Sequence, residues 1–139
     1  MKTSILVDTN VLVDVMTFSS TWFEWSRAAL KLAIEQSRVV VNPIVYAEIG
    51  TRFESAEELD SQYFMQFMER EEVPWSAAFL AGKAHLQYRR LGGTKLTTLS
   101  NFFIGAHALV SSHYLLTRDS RRFETYFPAV KVISPETHP

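Results

Sequence analysis

Ile5-Leu6-Val7-Asp8-Thr9-Asn10-Val11-Leu12-Val13 decides the fold. An apolar run ends in a carboxylate, a polar pair follows, and a second apolar run begins at once. A short hydrophobic strand that carries an acid into a strand-to-helix turn is how open α/β sheets place chemistry at the carboxyl ends of their strands. Asp, Thr and Asn are also good helix caps, so an ordinary structural role is open to Asp8 as well.

Working outward from that strand, Ser4 to Val7, the chain alternates between two periodicities. Trp22, Trp25, Ala29, Leu32 and Ala33 recur at helical spacing between Trp22 and Gln36, and the β-branched run Arg38 to Val41 reads as a strand. Asn42-Pro43 supplies a cap and a first-turn proline for a helix reaching about Phe53. Tyr63, Phe64, Phe67 and Met68 suggest a helix from Ala56 to Met68, and Pro74 ends the extended piece at Val73. Ser76 to Leu91 is a further helix stopped by Gly92-Gly93, and Leu99-Ser100 opens another through about Ser112. Tyr114 to Thr117 is a strand, Ser120 to Tyr126 a short helix and Val130 to Ile133 the last strand. Strands alternating with helices imply a mostly parallel sheet covered on both faces, a three-layer α/β/α architecture.

At 139 residues, 47% hydrophobic and 21% charged, the chain suits one domain spanning 1–139 with a sizeable core. Cysteine is absent, which removes disulfides, thiolate metal sites and a cysteine nucleophile and agrees with a reducing cytoplasm. No apolar stretch is long enough to span a bilayer, so the reading is a soluble cytoplasmic protein without a membrane partner.

The net charge is only -1, but the signs are segregated. Glu54, Glu57, Glu58, Asp60, Glu69, Glu71 and Glu72 face a single base, Arg70, and then Val73 to Arg118 contains no acid while carrying Lys83, Arg89, Arg90, Lys95 and Arg118. Arg121 and Arg122 follow just beyond Asp119. Such a basic segment is either a solvated face or a surface for a polyanion.

Three acids fall where a parallel sheet would gather them: Asp8 after the first strand, Glu48 in the helix after the second, and Asp119 after Tyr114 to Thr117. Glu48 lies beside the apolar stripe Val45, Ile49, Phe53, where a carboxylate needs a cation or several donors, unless it pairs with Arg52 four residues on. Asp119 has its own ordinary reading as the cap of the helix at Ser120.

Four blocks in order, Ile5-Leu6-Val7-Asp8-Thr9-Asn10, Tyr46-Ala47-Glu48-Ile49, Leu99 to Ala108 (which includes Phe102-Phe103-Ile104-Gly105-Ala106-His107) and Leu115-Leu116-Thr117-Arg118-Asp119, resemble the PIN-domain nucleases. Their spacing is most similar to the VapC-type toxins of bacterial toxin-antitoxin pairs. The resemblance implies a ribonuclease whose carboxylates, here Asp8, Glu48 and Asp119, hold one or two Mg2+ or Mn2+ ions, with Thr117 as an added polar contact. Hard divalent ions take oxygen ligands, which suits that set. It also implies a cognate antitoxin, an RNA substrate of single-stranded character and a homodimer. Asn10, Thr117, Arg89, Arg90, Arg118 and Arg121 are the candidate substrate contacts.

One block departs from the pattern. Asn101 occupies the position of the usual third aspartate; its carbonyl can touch a metal but brings no charge, so metal affinity and water activation should both fall. Asparagine is also an excellent helix cap. A catalytically silent module that keeps antitoxin or RNA binding is therefore the second reading. A haloacid-dehalogenase-type phosphatase would need an acid where Asn10 stands, and a dinucleotide site would need a glycine-rich turn that Asp8-Thr9-Asn10 lacks.

The remaining motifs read as structure. His107, two turns into an apolar helix, is expected to be a hydrogen-bonded core residue, and His85 and His113 show no spacing that suggests a metal site. Gly105 permits close helix packing, and Trp22, Trp25, Phe102 and Phe103 belong to the core. The acidic stretch with Tyr63, Phe64, Phe67 and Met68 is the better candidate for an antitoxin groove or a dimer surface.

Overall fold

Ile5, Leu6 and Val7 are all buried, and so are Val39, Val40 and Val41. Consecutive rather than alternating burial marks strands covered on both faces, as parallel sheets are. The computed structural model describes residues 3–19, 21–94 and 98–139. Its strands are β1 (Ser4–Val7), β2 (Arg38–Val41), β3 (Met68–Arg70), β4 (Tyr114–Leu116) and β5 (Val132–Ile133). They form one sheet in the order β3-β2-β1-β4-β5, with every pair parallel.

The helices are α1 (Thr9–Met16), α2 (Phe23–Gln36), α3 (Pro43–Gly50), α4 (Ala56–Asp60), α5 (Trp75–Arg90), α6 (Thr98–Val110) and α7 (Arg121–Glu124). α1 packs on α2, α6 lies against both α5 and α7, and α3 touches α1 and α6. This is the expected three-layer α/β/α arrangement. No helix among the described residues is long and apolar enough to cross a membrane.

Several boundaries differ from the sequence reading, and one difference is of kind. Ala56 to Met68 is not one helix: α4 ends at Asp60, Tyr63–Phe67 is a 3-10 turn, and Met68–Arg70 is an edge strand registered on Val39, Val40 and Val41. The aromatic spacing reflects one tight turn, and a polar edge strand such as Met-Glu-Arg gains its order from pairing rather than propensity. The core face of α2 is Ser26, Leu30 and Ala33, while Leu32 is exposed.

Two details of α6 bear on function. It begins at Thr98, so Asn101 lies inside its first turn and is not its cap. Gly105 is the close approach expected of it: a Cβ there would sit 2.5 Å from the Phe127 ring.

Candidate functional site

The chain runs from β1 outward through β2 to β3, then returns to the other side of β1 with β4 and continues to β5. The order therefore reverses between β1 and β4, and open α/β sheets bind ligands in the crevice beyond the carboxyl ends of the strands at such a point. Asp8 and Thr117 occupy those two ends. The Asp8 amide continues the ladder to Leu116 O at 2.8 Å, and Thr117 Oγ1 donates to Asp8 Oδ2 at 2.8 Å.

Asp8 stands at the cap position of α1, but its side chain makes no capping hydrogen bond. The carboxylate is 1% exposed and enters no ion pair among the described residues. Burial pushes its pKa up to about 6, against the Thr117 hydrogen bond and the positive charge of Arg122; the negative charge of Glu48 pushes the same way as burial. A carboxylate so placed favours a cation.

Glu48 reaches the same end of the sheet from α3. Its Oε1 accepts from Thr9 Oγ1 at 2.7 Å, and it forms no ion pair with Arg52 among the described residues. Asp119 joins from the other side, its amide donating to Thr117 Oγ1 at 3.1 Å and its Oδ2 accepting from Arg122 Nε at 3.1 Å. Ser120, not Asp119, occupies the cap position of α7. Asp8, Glu48 and Asp119 are thus linked through Thr9 and Thr117. As a trio they do not bring their oxygens within 4.8 Å of one another, a closeness that Glu71, His107 and His113 alone achieve among the described residues. Asn101 is half-buried, and its side chain makes no hydrogen bond among the described residues.

The candidate substrate contacts divide into two groups. Asn10 Nδ2 donates to Thr117 Oγ1 at 3.3 Å and Asn10 Oδ1 accepts from the Arg118 amide at 3.3 Å, so both ends of the side chain are committed. Arg118 Nε lies 2.9 Å from Oδ2 of the buried Asp14, which also accepts from Ser26 Oγ at 2.8 Å. This network ties the loop carrying Asp119 to α1 and α2. Arg89, Arg90 and Arg121 are exposed. Lys95 lies outside the described residues.

Thr9 and Asp14 were missed as members of this constellation, whereas Arg122, read with Arg121 as part of the basic segment, does border the acids. Asp14 left a signal: it falls three residues after Val11 on the buried stripe of α1, where a carboxylate requires a partner. The sequence also gave no hint that His113 would join His107. Glu71 Oε1 lies 2.8 Å from His107 Nε2 and 2.6 Å from His113 Nε2, so the lack of ligand-like spacing did not prevent convergence.

The PIN domain family profile matches residues 5–127 of the chain. No curated protein sequence matches it. Among solved structures, a chain of VapBC2 from Rickettsia felis bound to a promoter DNA fragment superposes with TM-score 0.71 at 17% identity, covering 94% of this chain and 98% of that one. A chain of FitAcB from Neisseria gonorrhoeae gives TM-score 0.70 at 20% identity, with 97% and 99% covered. DNA-bound VapBC from Salmonella typhimurium gives 0.67 at 18%, with 95% and 98% covered.

Proposed function

The chain belongs to the PIN domain family, and on that premise we propose that it is the metal-dependent endoribonuclease toxin of a type II toxin-antitoxin pair, acting in the cytoplasm. The observation that carries the reading is Asp8, a buried carboxylate without an ion pair among the described residues, at the switch point of the sheet. Asp8, Glu48 and Asp119, with the Asn101 carbonyl, are the residues that would hold Mg2+ or Mn2+. An all-oxygen donor set fits a hard divalent ion. When bound, such an ion lowers the pKa of water and polarises a phosphoryl oxygen, the chemistry that phosphodiester hydrolysis needs.

The rest of the mechanism belongs to the protein's own groups. Thr117 fixes one oxygen of Asp8 by donating to Oδ2, and the Thr9 backbone amide adds a second hydrogen bond to the carboxylate. Asn10, Thr117 and Arg118 are assigned to this scaffold rather than to substrate, because their polar atoms are already engaged. Arg89, Arg90 and Arg121 are the candidates for the RNA backbone, with Arg122 close enough to Asp8 to affect its charge. For the partners, the groove lined by Val15, Leu30, Ile34, Tyr63, Phe64 and Phe67 would take an apolar segment of the antitoxin. The exposed α5 stripe Trp75, Phe79 and Leu86 would form the homodimer.

Asn101 favours the second reading, a PIN module that binds antitoxin or RNA without cutting. Mn2+ titration and cleavage of a single-stranded RNA pool, for this chain and Asp8→Asn, decide between them. The nuclease reading expects Mn2+ binding and cutting that Asp8→Asn abolishes, with RNA affinity that falls steeply as salt rises. Binding of RNA without metal-dependent cutting in either protein supports the silent module. Failure to bind Mn2+ at all overturns the nuclease.

A further inference from the structure

Glu71, His107 and His113 have the composition of a transition-metal site, and Glu71 lines a cleft with Asn42, Tyr46 and Arg70. The hydrogen-bond directions give the cluster another role. Asn42 caps α3 by accepting the Val45 amide on Oδ1 at 2.9 Å, which fixes the orientation of its amide. Its Nδ2 therefore donates to His107 Nδ1 at 3.0 Å. With Nδ1 accepting, the single proton of a neutral His107 sits on Nε2 and is donated to Glu71 Oε1. A metal on His107 Nε2 would move that proton to Nδ1, against the Asn42 donor, and could be accommodated only by giving up the cap. His113 completes the set, with Nε2 on Glu71 Oε1 and Nδ1 at 2.6 Å from Ser4 Oγ.

The two branches of this cluster reach different places. The His107 branch ends on the first turn of α3, the helix that carries Glu48, and His107 itself lies on α6, the helix that carries Asn101. The His113 branch ends on Ser4 at the start of β1 and touches neither helix side chain of the site. We propose that His107 is a positioning residue: through Asn42 it locks the register of α3 against α6 and so places Glu48 relative to Asn101, with Glu71 holding His107 in the required tautomer. This rests on reading Glu48 and Asn101 as metal-site residues.

Three variants test it. His107→Leu breaks the clasp, His107→Gln can accept from Asn42 and donate to Glu71, and His113→Leu breaks only the other branch. Each is measured for folding by thermal melting, for Mn2+ affinity by electron paramagnetic resonance, and for amide exchange along α3; nitrogen NMR of the parent reads the His107 tautomer. Expected are an Nε2-protonated His107, roughly fivefold weaker Mn2+ binding and faster α3 exchange in His107→Leu, recovery of both in His107→Gln, and a lower melting temperature with unchanged Mn2+ affinity in His113→Leu. Equal effects of the two leucine variants on Mn2+ affinity and α3 exchange overturn the proposal, as does an intense tetrahedral Co2+ absorption that His113→Leu removes. If the parent binds no Mn2+, the nuclease reading fails, and the clasp is still judged by whether His107→Leu speeds α3 exchange more than His113→Leu does. If His107→Leu does not fold, His107→Gln with slow α3 exchange and parental Mn2+ affinity supports the clasp, and His107→Gln lacking both overturns it.

Discussion

Asp8 and Glu71 are carboxylates that follow strands of the same sheet, β1 and β3, yet the protein treats them in opposite ways. Asp8 is buried with one hydroxyl donor and no ion pair among the described residues, and its pKa rises to about 6. Glu71 loses some solvation too, but the hydrogen bonds from His113 and His107 outweigh that loss and hold its pKa below the ordinary carboxylate range. One acid is left needing a cation; the other is satisfied by two imidazole partners on one of its oxygens. The two acids therefore differ in what they need: Asp8 carries a desolvation cost that a bound cation would relieve, and Glu71 closes a clasp whose partners are already in the chain.

The sharpest way to break the contrast is to remove the clasp. His107→Ala leaves a cavity at a fully buried position and strips partners from Asn42 Nδ2 and Glu71. Losses of this kind combine packing and unsatisfied polar groups, so a destabilisation of about 4 kcal/mol is expected from urea unfolding near neutral pH. A cost below about 1 kcal/mol would mean that water replaces the histidine without penalty and that the cluster is not a stabilising unit.

Asp8→Asn should move stability the other way. Asp8 ionises at 3.8 in the unfolded chain and at about 6 in the folded one, so the folded state holds the proton more tightly. Its stabilising contribution is complete below 3.8 and is lost as pH rises through about 6, leaving a cost of about 3 kcal/mol above that pH. With a chelator present, Asp8→Asn is therefore expected to stabilise the protein by up to about 3 kcal/mol near pH 8 and very little near pH 3. His107 and Glu71 carry the opposite sign. Burial lowers the His107 pKa despite the attraction of Glu71, so its contribution is present above 6.5 and declines as pH falls; that of Glu71 declines below 4.5. Unfolding measured across this range in both proteins separates the terms, because only the Asp8 part disappears in Asp8→Asn.

How much of this was readable from the chain depends on the range of the interaction. β1 and β2, the α3 cap and the acids at the strand ends were legible because each follows from neighbours in sequence: β-branched runs, Asn-Pro, an acid after an apolar run. β3 was not, since Met68–Arg70 is a strand only by virtue of β2 beside it. The same limit hid the clasp, which joins Ser4, Asn42, Glu71, His107 and His113 across the whole sheet. Arg118 read as a phosphate contact because its charge is visible in sequence, whereas the buried Asp14 that engages it becomes evident only once α1 is packed.

Gly105 tests the packing on which both clusters depend. A Cβ would lie 2.5 Å from one atom of the Phe127 ring and 3.1 Å from Phe123, so Gly105→Ala must displace ring carbons packed between α6 and the segment that carries Phe123 in α7 and Phe127 just after it. A cost of about 2 kcal/mol in urea unfolding is expected. Because α6 also carries Asn101 and His107, a shift of that helix should appear in the NMR signals of both. A neutral Gly105→Ala would show that the C-terminal segment yields easily and does not fix α6.

The smallest effect on stability, and the most informative for function, belongs to Asn101→Asp. Asn101 lies in the first turn of α6 and is not its cap, so the substitution forfeits no capping hydrogen bond. A negative charge within the first turn gains roughly 0.5 kcal/mol from the helix dipole. Without metal, repulsion from Asp8, Glu48 and Asp119 opposes that gain, and the net change in unfolding free energy should stay within about 0.5 kcal/mol of zero. With metal, the added carboxylate supplies both charge and an oxygen ligand, so Mn2+ affinity should rise roughly tenfold and cleavage of an RNA pool at fixed Mg2+ should rise with it. The contrast between Asp8 and Glu71 would sharpen accordingly, because the acid that lacked a partner would then share its cation more tightly. A variant no tighter for metal and no more active than the parent would place Asn101 outside the metal's reach and leave Asp8, Glu48 and Asp119 as the whole acidic set.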